Sequence, residues 1–221
     1  MNQLDLRVSR SQEAVLETNK VLRNTYLLLS MTLFFSALMA GVAMMMNVGF
    51  INPIILLAGI FGLSFWVNKT ADSAQGLLAT FVFTGFLGFT LGPVLSMYLT
   101  LANGPAIIMQ ALGGTALIFL TLSGYALVTR KDFSYMGAFL LTGLLVAFGA
   151  AILNLFLGIP ALGLAVTSAF LLLSSGMILF ETSRIINGGE TNYIRATVSL
   201  YVSIYNIFLS LLHLLGFFSR E

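Results

Sequence analysis

Asn24-Thr-Tyr-Leu-Leu-Leu-Ser-Met-Thr-Leu-Phe-Phe-Ser-Ala-Leu-Met-Ala-Gly-Val-Ala-Met-Met-Met46 runs for 23 residues without a charged side chain. At a rise of 1.5 Å per residue such a helix is about 34 Å long, and the hydrocarbon core of a bilayer is about 30 Å thick. Six more apolar runs follow, at Phe50–Val67, Gly76–Leu99, Pro105–Val128, Tyr135–Leu157, Pro160–Phe180 and Tyr193–Phe217, the last being the most polar. Continuous runs of this kind argue against a membrane barrel, whose strands alternate over about ten residues. The expected fold is all-α: a polytopic membrane protein whose seven-transmembrane-helix bundle forms one domain over residues 24–221. A tail of residues 1–23 precedes it. The connections are only a few residues long, which predicts that neighbours in sequence pack antiparallel.

Composition points the same way. Of 221 residues, 58% are hydrophobic and 8% charged, against about 25% charged in a soluble domain. Too few charges exist to cover a water-facing surface. The formal net charge is +2 with the basic residues scattered, so a nucleic-acid partner is not expected. With no cysteine and a single histidine, His213, disulfides, thiolate chemistry and multi-histidine metal sites are excluded. The first two dozen residues are polar and charged, and the first apolar run is long enough to span, so no signal peptide is expected.

Proline placement supports the boundaries. Pro53, Pro105 and Pro160 stand at or near the start of runs two, four and six, where the first-turn N–H groups lack helical partners anyway. Pro93 falls inside run three and should kink or loosen it.

Basic residues set the orientation. Arg7, Arg10, Lys20 and Arg23 precede the first run, Lys69 follows the second, Arg130 and Lys131 the fourth, and Arg184 and Arg195 flank the sixth connection. Nine of ten therefore fall on one side, and only Arg220 on the other. The positive-inside rule makes the crowded side cytoplasmic, with the N-terminus in and the C-terminus out. Val15, Leu16 and Leu22 could give the tail an interfacial stripe; the plainer reading is a mobile cytoplasmic segment.

Several constellations could carry function. Gly88 and Gly92 form a GxxxG pair on a face shared with Gly85, next to Pro93, which reads either as close helix packing or as a hinge. Ser199, Ser203, Asn206 and Ser210 recur at helical spacing and make a polar stripe that must face protein or water. Glu181 follows the sixth run, on one face with Thr167 and Ser174. A carboxylate at that depth is a candidate proton or cation site, and Arg184, one turn on, is its candidate charge partner. The bland alternatives are interhelical hydrogen bonds for the stripe and an interfacial salt bridge for Glu181. His213 reads as an interfacial anchor or a titrating group. Leu173-Ser-Ser-Gly176 with His213 suggests an intramembrane serine hydrolase only superficially: leucine stands where glycine is needed and no orienting group follows. HExxH and paired GxGD-type aspartates are missing too, and the chain is not expected to be an enzyme.

Three longer stretches are recognisable as a set: Ile178-Leu-Phe-Glu-Thr-Ser-Arg-Ile-Ile-Asn-Gly-Gly-Glu190, Asn192-Tyr-Ile-Arg-Ala-Thr-Val-Ser-Leu-Tyr201 and Asn206-Ile-Phe-Leu-Ser-Leu-Leu212. With Lys20-Val-Leu-Arg-Asn-Thr-Tyr26, Phe83-Thr-Gly-Phe-Leu-Gly88 and Ala111-Leu-Gly-Gly-Thr-Ala-Leu117, the chain resembles the Bax inhibitor family over nearly its whole length. The likeness is strongest to bacterial members. It implies a seven-helix protein of the bacterial inner membrane, embedded in lipid and associated with FtsH, an ATP-dependent zinc protease of the membrane, and with its HflK–HflC partners. No resident cofactor or metal is expected. The family also contains pH-sensitive calcium-leak channels with paired aspartates on helices six and seven, which makes calcium a candidate permeant ion. Glu181 matches the first aspartate, but Ser203 stands at the second position. A helix-two arginine of those channels falls at Asn68, with Lys69 adjacent. One carboxylate cannot share a proton with a second, so the paired-aspartate gate is not expected in that form.

Overall fold

The structure, a computed structural model, describes the backbone of residues 3–219 and the side chains of residues 16–219. Arg220, Glu221 and the side chains of Arg7, Arg10 and Val15 lie outside the described residues. Seven α-helices account for nearly all of it: α1 (Gln3–Met45), α2 (Pro53–Thr70), α3 (Gln75–Leu99), α4 (Gly104–Thr129), α5 (Gly137–Leu157), α6 (Pro160–Ile186) and α7 (Tyr193–Phe218). One 3₁₀ turn, Ser134–Met136, leads into α5, and no strand occurs among the described residues. All seven helices contain a stretch long and apolar enough to cross a bilayer.

The ends of the helices follow local chemistry. Pro53, Pro105 and Pro160 occupy first-turn positions. The side chains of Asn52 and Asn192 cap α2 and α7 by accepting backbone N–H groups at 2.9 Å, as polar N-cap residues do. Gly158 (φ 63°) ends α5 in the left-handed conformation, which glycine adopts without steric penalty.

Two elements outrun the hydropathy reading. First, α6 continues to Ile186, so Glu181 lies inside the helix and not beyond it. Second, α1 begins at Gln3, and the segment read as a mobile tail has the backbone of one continuous helix with the first span. At 43 residues, α1 is about 64 Å long, about twice the hydrocarbon thickness.

Packing places α3 and α7 at the centre. α1 lies along α3 and also contacts α7, α4 packs on α7 and α6, and α2 and α5 flank the assembly on α3 and α6 respectively. The expectation that sequence neighbours pack together is corrected at two places: α1 does not pack on α2, nor α4 on α5. The seven residues between α1 and α2 can stretch over about 23 Å, two helix diameters, so a short loop still lets the chain step past a neighbour. Exposed Ile54, Phe61 and Phe65 on α2, and Phe139, Leu145 and Leu153 on α5, form lipid-facing surface, where an apolar side chain is at home.

Candidate functional site

Small residues determine how α1 meets α3. Added Cβ atoms would run into the Phe35 ring at Gly85, the Ser36 backbone at Gly88, and Ala43 and the Ala40 carbonyl at Gly92. These three positions form a seam: the backbones approach closely at Gly88 and Gly92, and at Gly85 the missing side chain makes room for the Phe35 ring. Gly88, Gly92 and Pro93 are buried, and α3 continues as one helix through Pro93. Of the positions read as packing or hinge, Gly88 and Gly92 pack directly against α1.

A hydroxyl network ties α7 into the same seam. Fully buried Tyr201 donates from Oη to the Thr84 carbonyl at 3.1 Å and accepts from Ser36 Oγ at 2.6 Å. Tyr205 pairs with Thr90 at 3.1 Å. Each threonine also bonds back to its own helix, so these buried polar groups are satisfied.

Glu181 is the deepest charged side chain described, 5% exposed. Its carboxylate meets Arg184 Nη1 at 3.4 Å, and the Ser199 hydroxyl of α7 lies within hydrogen-bonding reach. Arg184 makes a second pair at 3.4 Å with Glu190, donates to the Gly189 carbonyl at 3.2 Å, and lies over the Phe180 ring. One guanidinium therefore serves two carboxylates. Glu190 escaped the sequence reading, although a signal was present: Asn187-Gly-Gly189 is a turn, and Gly188 adopts φ 74°, which folds the chain back over the end of α6. Lys69, the other candidate partner, is exposed and makes no ion pair among the described residues.

Between α2, α5, α6 and α7, with Ser199 in its wall, lies a cavity of about 250 Å³. It is lined by the polar side chains of Asn68, Ser174, Arg195, Ser199, Ser203 and Asn206 and by the apolar ones of Val67, Leu144, Met177, Val198 and Val202. Asn68 and Arg195 are exposed, while Ser174 and Ser203 are buried, so the cavity runs inward from the charged face. Ser174 Oγ is completely buried and has no hydrogen-bond partner among the described residues. The structure thus gathers Ser199, Ser203 and Asn206 from the predicted stripe. Ser210 lies further along α7, buried but outside this lining. Ser203 donates to the Ser199 carbonyl at 3.0 Å and does not meet Glu181. His213, exposed near the far end of α7, reaches Thr167 of α6 through Nδ1 at 3.2 Å.

The charged face is stitched across loops. Asn192 Nδ2 donates to the Ala71 carbonyl at 3.0 Å and to Asp72 Oδ1 at 2.7 Å, and Arg195 pairs with Asp72 at 2.6 Å. Ser183 donates to the Lys131 carbonyl at 3.0 Å and accepts from the Phe133 N–H at 2.9 Å. Asp132, in the same loop, accepts hydrogen bonds from the Ser134 side chain and backbone, which hold its carboxyl below the usual carboxylate range.

No metal-binding cluster of His, Asp or Glu occurs among the described residues. Glu181 lies outside the cavity lining and is linked to it through Ser199.

Comparison with known proteins fits this architecture. Residues 18–220 match the family described as inhibitor of apoptosis-promoting Bax1. The chain is 54% identical to "Modulator of FtsH protease YccA" of Escherichia coli (strain K12), over 96% of this chain and 97% of that protein. The same identity and coverage hold for "Inner membrane protein YccA" of Escherichia coli O6:H1. An uncharacterised membrane protein of Vibrio cholerae is 48% identical over 96% of this chain and 95% of its own length. With seven spans and similarity along its whole length, the chain is a multi-pass protein of the inner membrane and belongs to the Bax inhibitor family.

Proposed function

We propose that this chain binds and modulates the FtsH membrane protease, in company with HflK–HflC, as a slowly extracted substrate that occupies the protease and spares other clients. It acts without catalysis of its own and with its basic face in the cytoplasm. The observation that carries the reading is the 54% identity, across 96% of the chain, to a protein named as a modulator of that protease. The α1 extension supports it physically. Residues 3–23 continue the helix beyond the length that the hydrocarbon needs. The thirteen residues 3–15 precede the candidate span Leu16–Met45, a helical length that is marginally stable in water, so an ATPase on that side finds a segment that opens at little cost.

Affinity purification from native membranes in mild detergent tests the association. FtsH and HflK–HflC are expected with the full-length chain and lost when residues before Val21 are deleted; clean absence of both from the full-length sample would end this reading. In a pulse-chase, the shortened chain should outlive the full-length one by about ten-fold, as expected where opening of a terminal segment limits extraction. Equal lifetimes would exclude the extension as a handle.

The polar cavity favours a second reading, a cation leak with calcium as the permeant ion. Asn68 and Asn206 supply amide oxygens of the kind calcium takes, the Ser174, Ser199 and Ser203 hydroxyls line the same cavity together with the Arg195 cation, and Glu181, reached through Ser199, supplies the negative charge. Calcium flux into proteoliposomes is expected to fall about ten-fold in Glu181→Gln, the change that one lost charge contact of about 1.4 kcal/mol would give. Flux that is equal in the two proteins would exclude Glu181 from the pathway. Deletion of the α1 extension leaves conduction intact, which separates the two readings.

A further inference from the structure

A second cavity, of about 550 Å³, lies on the other side of α7, between α1 and α4. These two helices both reach α7, yet no pair of their Cα atoms comes within 8 Å among the described residues. They are joined near the charged face by the Tyr26 side chain, which hydrogen-bonds Ser123 and packs against Phe119 at 6.0 Å. Beyond Tyr26 the space is open and almost wholly apolar, lined on one side by Ala37 and Gly41, on the other by Leu112 and Ala116, with Phe208 between. It occupies the half of the bundle remote from the charged loops.

From this geometry we infer that the α1–α4 cleft is a binding site for one acyl chain of a membrane lipid. Water has no place in it, because the lining offers almost no polar partners. An unfilled void at this depth would forfeit the dispersion contacts of its whole lining. A transmembrane helix of a partner is too bulky: a cylinder about 10 Å across, rising 1.5 Å per residue, takes about 120 Å³ per residue, so the cleft would hold under two turns. A methylene occupies close to the ~30 Å³ of a liquid water molecule, which gives room for about eighteen carbons. That is the size of one ordinary lipid chain. The small residues Ala37, Gly41 and Ala116 are what open the space, and a Cβ added at Gly41 meets nothing within 4 Å. The site stands apart from the cavity beside Ser174 and Ser203.

The test is photolabelling in liposomes of phosphatidylethanolamine and phosphatidylglycerol doped with a phosphatidylethanolamine that carries a diazirine on one acyl chain. Labelling mapped by peptide mass spectrometry should concentrate on Ala37, Gly41, Leu112 and Ala116. The expected excess over lipid-facing Leu145 and Leu153 of α5 is about five-fold, the ratio that a preference of about 1 kcal/mol gives. Gly41→Phe should bring the cleft down to the α5 level, and Ala116→Leu should do the same from the other wall if the first variant fails to fold. Uniform labelling of all lipid-facing helices, or cleft labelling that survives both fillings, would overturn the site. Crosslinks from the cleft to a second protein chain, in place of lipid, would overturn it in favour of a protein interface.

Discussion

Gly88→Leu should leave almost no folded protein in the membrane. The position faces the Ser36 backbone, so four added carbons cannot be absorbed by a rotamer change and must push α1 away from α3. Overpacking a well-filled interface costs about 1–3 kcal/mol and more when backbone has to move, so a loss of about 3 kcal/mol or more is expected. The displacement would also break the hydrogen bond from Ser36 to Tyr201, and with it the link to Thr84. Gly88→Ala should fall between, and Gly62→Leu, on a stretch of α2 where an added Cβ meets nothing within 4 Å, should behave as wild type. Membrane level and thermal stability in detergent measure the series. A Gly88→Leu protein as stable as Gly62→Leu would show that the seam does not hold the bundle.

Arg184→Met should have the next largest effect. The guanidinium neutralises Glu181 and Glu190, whose side chains are 6% and 12% exposed. Removing it leaves two poorly solvated carboxylates with no cation between them. Breaking a buried pair costs about 3–5 kcal/mol; Arg184 is itself 30% exposed, and screening reduces the expected loss to about 2–3 kcal/mol. The mechanism has its own control. Combining Arg184→Met with Glu181→Gln and Glu190→Gln removes the stranded charges and should recover most of the stability, which comparison of the triple variant with the single ones reads directly. A triple variant no better than Arg184→Met alone would mean that the guanidinium acts through packing on Phe180. Asp72→Asn, by contrast, breaks a pair whose members are both well exposed and should cost less than about 1 kcal/mol.

What could be read from the sequence was governed by the solvent. Each span is announced by its own residues, because in hydrocarbon every apolar run must be a helix, and most boundaries fall within three residues of the expected ones. The exceptions are informative. α6 continues through Glu181-Thr-Ser-Arg184 because its neighbours satisfy those side chains, and hydropathy sees only their polarity. α1 extends back to Gln3 through residues whose polarity hid a helix outside the bilayer. Helix adjacency was hidden for a different reason: lipid-facing and protein-facing surfaces are equally apolar, so nothing along the chain records that α1 passes α2 to reach α3. For the candidate site, the helical spacing of Ser199, Ser203 and Asn206 was enough to foresee a polar face. That Ser174 faces it without a partner, and that Glu190 returns to Arg184, depend on how α6 meets α7 and on a glycine turn. Both are long-range matters for which spacing carries little information.

The α1–α3 seam also sets how the molecule bears load. A motor that grips the N-terminus pulls along the α1 axis, parallel to the seam, so Gly85, Gly88 and Gly92 slide past Phe35, Ser36 and Ala43 together and not one after another. Loaded in shear, such an interlocked surface yields only when all its contacts fail at once. Peeling, which breaks them singly, would need a pull across the axis, and α1 offers no grip for that. A chain built this way can be easy to seize and slow to withdraw.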